Sequence, residues 1–211
     1  MESYTYNIIN NRCTIQFHSP QYTFCQAIKS LFFLPSLTTN TVCSELSFIA
    51  TSVDTLSSFI KKQKNWVDYD KGVRILTHLG IQIFFMEKND STFAWLSPEH
   101  ILVINETAFF YIGLDHIVPI RNKEFLLTVP PSVSCKPFLA PEYKCISTLP
   151  AHIDYRASYY SLAKIILFNM FPHVSSENYM VALRSIIDTN LYWSILNCLE
   201  QNPHKRKCLV I

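Results

Sequence analysis

Residues 93 to 103 read Phe93-Ala94-Trp95-Leu96-Ser97-Pro98-Glu99-His100-Ile101-Leu102-Val103, and the fold turns on how this stretch divides. Its right half runs into a short apolar segment, Ile101–Ile104, followed by the turn-forming triplet Asn105-Glu106-Thr107. A second apolar run over 108–114 comes next, so the spacing predicts a hairpin. Its left half is apolar, with Phe93, Ala94 and Trp95 in succession.

Upstream of this stretch the pattern is helical. Asp54 or Thr55 can cap a helix over Leu56–Lys62, and Asp68 or Asp70 a longer one. In the longer helix Val73, Leu76, Leu79, Ile83 and Phe84 predict one apolar stripe. Residues 1–53 read as short pieces: a strand at Thr14-Ile15-Gln16-Phe17, a helix over 25–34 stopped by Pro35, and a strand over 46–49. Downstream, residues 125–129 predict a third strand closed by Pro130-Pro131, and 130–157 read as irregular. Residues 159–171 predict a helix apolar on nearly all sides, which belongs at the centre of a domain. Two amphipathic helices follow, one over 177–187 after the caps Ser175 and Ser176, and one over 191–199 that Asn202-Pro203 ends.

Composition narrows the function classes. The 211 residues suit one domain or at most two small ones, and at 49% apolar they can bury a sizeable core. A net charge of +2, with basic clusters only at Lys61-Lys62-x-Lys64 and Lys205-Arg206-Lys207, is not a nucleic-acid footprint. Seven cysteines without C-x-x-C or zinc spacing predict reduced thiols and a cytoplasmic protein. The N-terminus has neither the basic nor the apolar region of a signal peptide. Only three glycines occur, at 72, 80 and 113, none close to another, so no glycine-rich phosphate loop can be written on this chain.

Five pieces in order give the chain a resemblance to the C-terminal lobe of the eukaryotic protein kinases. They are Asp54-Thr55-Leu56-Ser57-Ser58-Phe59-Ile60 and Leu96-x-Pro98-Glu99-x-Ile101-Leu102-Val103. Then come Phe138-Leu139-Ala140-Pro141-Glu142, Ser161-Leu162-Ala163 and Cys198-Leu199-Glu200-x-Asn202-Pro203-x-x-Arg206. They look like the segment after the hinge, the catalytic loop with its following strand, the A-P-E element, the centre of the buried helix and the closing motif. The resemblance implies an α+β, mostly helical fold: a shortened small-lobe remnant over 1–53, a kinase-like C-lobe over 54–207 and a tail over 208–211.

The same resemblance implies that the chemistry is gone. The catalytic loop of the family is H-R-D-x-x-x-x-N; here Trp95 stands at the aspartate position and His100 at the asparagine position. Trp95 cannot accept a hydroxyl proton, and an imidazole is a poor magnesium ligand. Gly113 stands where the metal-binding aspartate of D-F-G belongs, and Asp115 reads as a turn residue. Lys29, in an A-I-K triplet, lies too close to the hinge-like residues to be the phosphate-gripping lysine. Phe93, Trp95, Phe109, Phe110 and Tyr111 would fill the cleft. The retained residues are structural: Pro141, Ser161, Leu162, and Glu142 paired in the family with Arg206.

The expectation is therefore an inactive kinase homologue, a pseudokinase, that needs no cofactor or metal. It would bind a protein partner, a kinase or kinase substrate, as a scaffold or regulator. Two other classes stay open: an atypical kinase or nucleotide binder, and a stand-alone interaction module like the non-catalytic C-lobe domains called KIND. The tail Cys208-Leu209-Val210-Ile211 fits C-a-a-X, so Cys208 is a candidate for prenylation and peripheral membrane attachment, against the alternative of a chance apolar tail.

Overall fold

Asn10 and Asn11 both take left-handed backbone conformations, at φ 51° and 59°, which asparagine tolerates well. They close a tight hairpin between strands β1 (Tyr4–Ile9) and β2 (Arg12–Phe17) in this computed structural model. The structure describes residues 4–29, 31, 33–34, 36–63, 66–174 and 178–208. Strands β3 (Thr38–Thr39) and β4 (Glu45–Ile49) complete an antiparallel sheet of order β1-β2-β4-β3. Alternation decides its inner face: Cys13, Ile15, Phe17, Leu46 and Phe48 are buried, with polar neighbours between them in β2.

Helix α1 spans Tyr22–Ile28, so it begins earlier and ends well before the predicted 25–34. Leu31 and Leu34 are buried outside any helix; their spacing marked a buried face and not a continuing helix. Phe32 and Pro35 lie outside the described residues. Lys29 is exposed.

Strand β5 (Val53–Thr55) leads directly into α2 (Leu56–Lys62), where the Thr55 hydroxyl accepts from the Ser58 N–H at 3.2 Å. Asp54 does not cap; it pairs with Lys62 at 2.7 Å. Helix α3 (Tyr69–Lys88) is capped by Asp68, whose carboxylate accepts from the Lys71 N–H at 2.8 Å. Its stripe keeps Leu76, Leu79 and Ile83 but not Phe84, which is half exposed with the Lys88 ammonium 4.5 Å from its ring. Gly72 lets α3 approach its neighbours closely: a Cβ there would meet the Met170 sulfur at 2.6 Å.

The deciding stretch folds as β6 (Ser91–Phe93), a 3-10 turn at Pro98–His100, and β7 (Ile101–Ile104), which pairs with β8 (Ala108–Tyr111) in the predicted hairpin. Val53 of β5 pairs with Ile104, giving the sheet β5-β7-β8. Strand β9 (Ile117–Pro119) pairs with β6. The predicted third strand is β10 (Glu124–Leu127), and its partner is β11 (Ala151–Asp154). Residues 130–157 are thus less irregular than their sequence suggested, with 3-10 helices at Val133–Phe138 and Pro141–Cys145 before β11.

Helix α4 (Ala157–Met170) is buried on nearly every side, as its all-round apolar sequence requires. Helix α5 (Tyr179–Leu183) continues into a 3-10 turn at Arg184–Ile186, shorter than the predicted 177–187. The proposed caps Ser175 and Ser176 lie outside the described residues. Helix α6 (Asn190–Cys198) is capped by Thr189.

One apolar core joins the N-terminal sheet to α3, α4 and α6. A smaller core collects Trp95, Phe125, Leu127, Cys135, Tyr143 and Ile153. The fold is mixed α+β, with more helix than strand and four small antiparallel sheets among the described residues. No described helix is long and apolar enough to cross a membrane.

Candidate functional site

The two cores meet at the loop that precedes β7. Phe93 packs in the main core, with its ring 4.7 Å from that of Tyr111. Two residues on, Trp95 turns into the smaller core and lies 4.6 Å from the His116 ring. The aromatic residues predicted to act as one plug are all buried, but Trp95 serves the second core and the other four the first. The Trp95 indole N–H has no hydrogen-bond partner among the described residues.

Tyr111 organises this junction. Its backbone N–H donates to Gln82 Oε1 at 2.8 Å, and its carbonyl accepts from Gln82 Nε2 at 2.7 Å. A buried amide from α3 thus continues the hydrogen bonding of β8. The Tyr111 hydroxyl lies 2.5 Å from His116 Nδ1 and 3.2 Å from the Trp95 carbonyl oxygen. Burial drives the phenol pKa well up, so the hydroxyl keeps its proton. Burial, then the nearby His100, pushes His116 down to about 4, which leaves a neutral imidazole beside a hydroxyl whose one proton is donated to the Trp95 carbonyl.

Gly113 follows from Tyr111. A Cβ at position 113 would clash with the Tyr111 hydroxyl and stand 2.6 Å from the ring carbon that bears it, so an aspartate does not fit there with Tyr111 in place. His100 is half-buried, with its ring 5.1 Å from that of His116. Beside it opens a groove of about 790 Å³ between Tyr4 and Tyr6 of β1, Thr55 and Ser57, and Glu99, His100 and Asp115. Among the described residues it is lined by two carboxyls, one imidazole and two phenols but no lysine or arginine, a poor setting for phosphate. No cluster of three metal-ligating side chains occurs among the described residues.

Glu142 and Arg206 are brought together. The guanidinium meets the carboxylate with two parallel bonds, Nη1 to Oε1 at 2.6 Å and Nη2 to Oε2 at 2.7 Å. Arg206 Nε donates to the Glu200 carbonyl at 2.7 Å, and the charged plane stands 5.2 Å from the Tyr160 ring. The Arg206 side chain is fully buried. Pro141 opens the 3-10 helix that carries Glu142, and Ser161 and Leu162 sit buried on α4. Asp115, at the 3-10 turn Leu114–His116, is exposed.

Cys208 is half-buried against the main core, beside Cys198. The hydrogen bond with Cys208, then burial, raises the Cys198 thiol pKa well above its usual value. Residues 209–211 lie outside the described residues. Sequence reading missed the Tyr111–His116 contact and Gln82. It also missed Glu87 of α3, which accepts from the Tyr159 hydroxyl at 2.8 Å and is pushed up to about 7 by burial. No local pattern marks these residues, because each pair is joined across separate elements.

No protein-family model matches the chain, and no curated protein matches it.

Proposed function

We propose that this protein is a catalytically inactive relative of the protein kinases that works by binding another protein. The observation that carries this reading is the two-bond pair of Glu142 and Arg206, the contact expected between an A-P-E glutamate and a closing-motif arginine. Around it, the buried helix with Ser161 and Leu162 and the hairpin after residue 100 lie in the order that the resemblance requires. The chemical positions point the other way from catalysis. Trp95 is packed in an apolar core, Gly113 has no room for a carboxylate, and the adjacent groove lacks lysine and arginine among the described residues. A fold kept without its phosphate and metal groups is suited to recognition.

The sheet of residues 4–49 shares the main core, which favours this reading over a stand-alone module built on the C-terminal part alone. Thermal unfolding with millimolar Mg-ATP, alongside a phosphate-transfer assay on generic protein substrates, tests it. A native-state ligand raises stability by RT ln(1 + [L]/Kd), so no rise in Tm and no transfer are expected. A metal-dependent rise, or transfer above background, overturns it.

A further inference from the structure

Away from the groove, three lysines line one cavity of about 450 Å³: Lys136 on Val133–Phe138, Lys144 on Pro141–Cys145, and Lys164 on α4. Among the described residues none of the three makes an ion pair. The nearest acid in sequence, Glu142, is held by Arg206. Lys164 stands with its ammonium 4.6 Å from the Tyr179 ring centroid. Its pKa is lowered by burial and by the charge of Lys144, so the pocket concentrates positive charge that no acidic side chain among its described lining residues offsets.

The walls are apolar, with Pro137, Leu139 and Phe168 among them. A second cavity of about 450 Å³ adjoins through the shared Lys136 and Leu139, and is lined by Leu127, Pro130, Ile146 and Leu149. Phe168 in the first cavity and Leu149 in the second are exposed. A ligand that suits both cavities carries an anion next to an apolar group.

We propose that this paired pocket docks a phosphorylated peptide segment of a protein partner. The phosphate sits among Lys136, Lys144 and Lys164, and an apolar side chain beside it fills the adjoining cavity. A phosphate monoester brings close to two negative charges and three strong acceptor oxygens, matching three ammonium donors better than a single carboxylate does. The concave shape admits a side chain, whereas a flat bilayer would meet only the rim. Nucleic acid would need a longer basic track than three lysines over an apolar floor. The proposal deepens the protein-binding reading above and rests on it.

The test uses the full chain and fluorescence anisotropy. Its probes are degenerate peptides with a fixed phosphoserine, phosphothreonine or phosphotyrosine, their unphosphorylated counterparts, inorganic phosphate, and phosphatidylserine–phosphatidylcholine vesicles. Phosphorylated peptides are expected to bind at least about tenfold more tightly than unphosphorylated ones, with affinity falling as salt rises. Lys144→Glu is expected to remove that preference with Tm unchanged, since Lys144 is exposed and makes no ion pair among the described residues. Lys136→Glu, a second exposed position, is expected to do the same. Equal binding of both peptide forms, phosphopeptide binding indifferent to both variants, or binding of vesicles or inorganic phosphate alone would overturn the proposal. Failure here is separable from failure of the protein-binding reading: a chain that ignores Mg-ATP and every phosphopeptide loses this pocket assignment only, whereas phosphate transfer removes the reading beneath it.

Discussion

Arg206 and Glu142 stand 64 residues apart in sequence, yet meet through two parallel bonds of 2.6 and 2.7 Å. Every remaining donor direction of the guanidinium has an acceptor nearby, including the carbonyls of Glu200 and Gln201. Such a pair contributes little over an apolar replacement but is costly to break on one side, because a buried charge is left alone. Arg206→Ala and Glu142→Ala are each expected to lower stability by about 3–5 kcal/mol. The double variant is expected to cost less than their sum, since the second change removes the stranded charge. Urea unfolding of the four proteins reads this directly; additive losses would mean that the two side chains act independently.

Trp95 supplies a second test. Replacing it by aspartate restores the carboxylate that the family resemblance would place there, inside a core of Phe125, Leu127, Tyr143 and Ile153. Lost packing alone costs about 3–5 kcal/mol for such a large side chain, and an unpaired carboxylate adds to it. Trp95→Asp is expected to unfold at much lower urea without gaining phosphate transfer, and Trp95→Phe to lose far less. Transfer by the aspartate variant would show intact machinery around it.

Legibility followed locality. Thr55 and Asp68 announced their helices because a cap acts within three residues, and the β7–β8 hairpin showed because two apolar runs flank one short turn. Strand β11 was hidden: of its four residues only Ile153 is buried, and its partner β10 lies across a stretch dominated by prolines and short 3-10 turns. Strand β1 was hidden for the same reason, since only Tyr4 in it is buried; the signal available was Asn10-Asn11 between two runs rich in strand formers. In the candidate site, Glu142 and Arg206 were legible only through the family resemblance. Tyr111 with His116, and the lysines at 136, 144 and 164, follow no period of strand or helix and are gathered by tertiary folding.

The N-terminal sheet is expected to resist removal. Cys13, Ile15, Leu46 and Phe48 share one core with Leu76 and Leu79 of α3, so excising residues 4–49 would expose that face of the helix. Limited trypsin digestion under native conditions is expected to leave no stable fragment that starts near residue 54. Accumulation of such a fragment would mean that the sheet is dispensable.

All seven cysteines carry free thiols, and their environments rank them. Burial pushes Cys13 up to about 11, and burial with the neighbouring Cys43 pushes Cys25 up to about 12. Thiolate is the reactive form, so these thiols and Cys198 are expected to stay unmodified by iodoacetamide at neutral pH while exposed Cys145 reacts first. Intact-mass and peptide mapping over time would reveal the order, and early labelling of Cys198 would contradict its packing against Cys208.

Three half-buried groups set the pH dependence. His116 and His78 are pushed from the usual 6.5 down to about 4 chiefly by burial, with His100 facing the first and Arg74 the second. Between those values both bind fewer protons folded than unfolded. Their contribution is therefore present above about pH 6.5 and lost as pH falls through 4. Glu87 has the opposite sign: burial raises it from 4.5 to about 7, against its bond from Tyr159 and the charge of Arg156. Its contribution is present below about 4.5 and lost as pH rises through 7. Across the shared window two imidazoles outweigh one carboxyl by one proton, so stability falls on acidification, by at most about 1.4 kcal/mol per pH unit. Glu87→Gln is expected to steepen that fall and to stabilise the protein at pH 8, where the buried carboxylate is otherwise charged. His116→Asn, which keeps a polar group near the Tyr111 hydroxyl but removes the titrating imidazole, is expected to flatten the fall. Urea midpoints measured from pH 4 to 8 for the three proteins decide the matter, and a wild-type midpoint that rises on acidification from 6.5 to 4.5 would reverse the assigned balance.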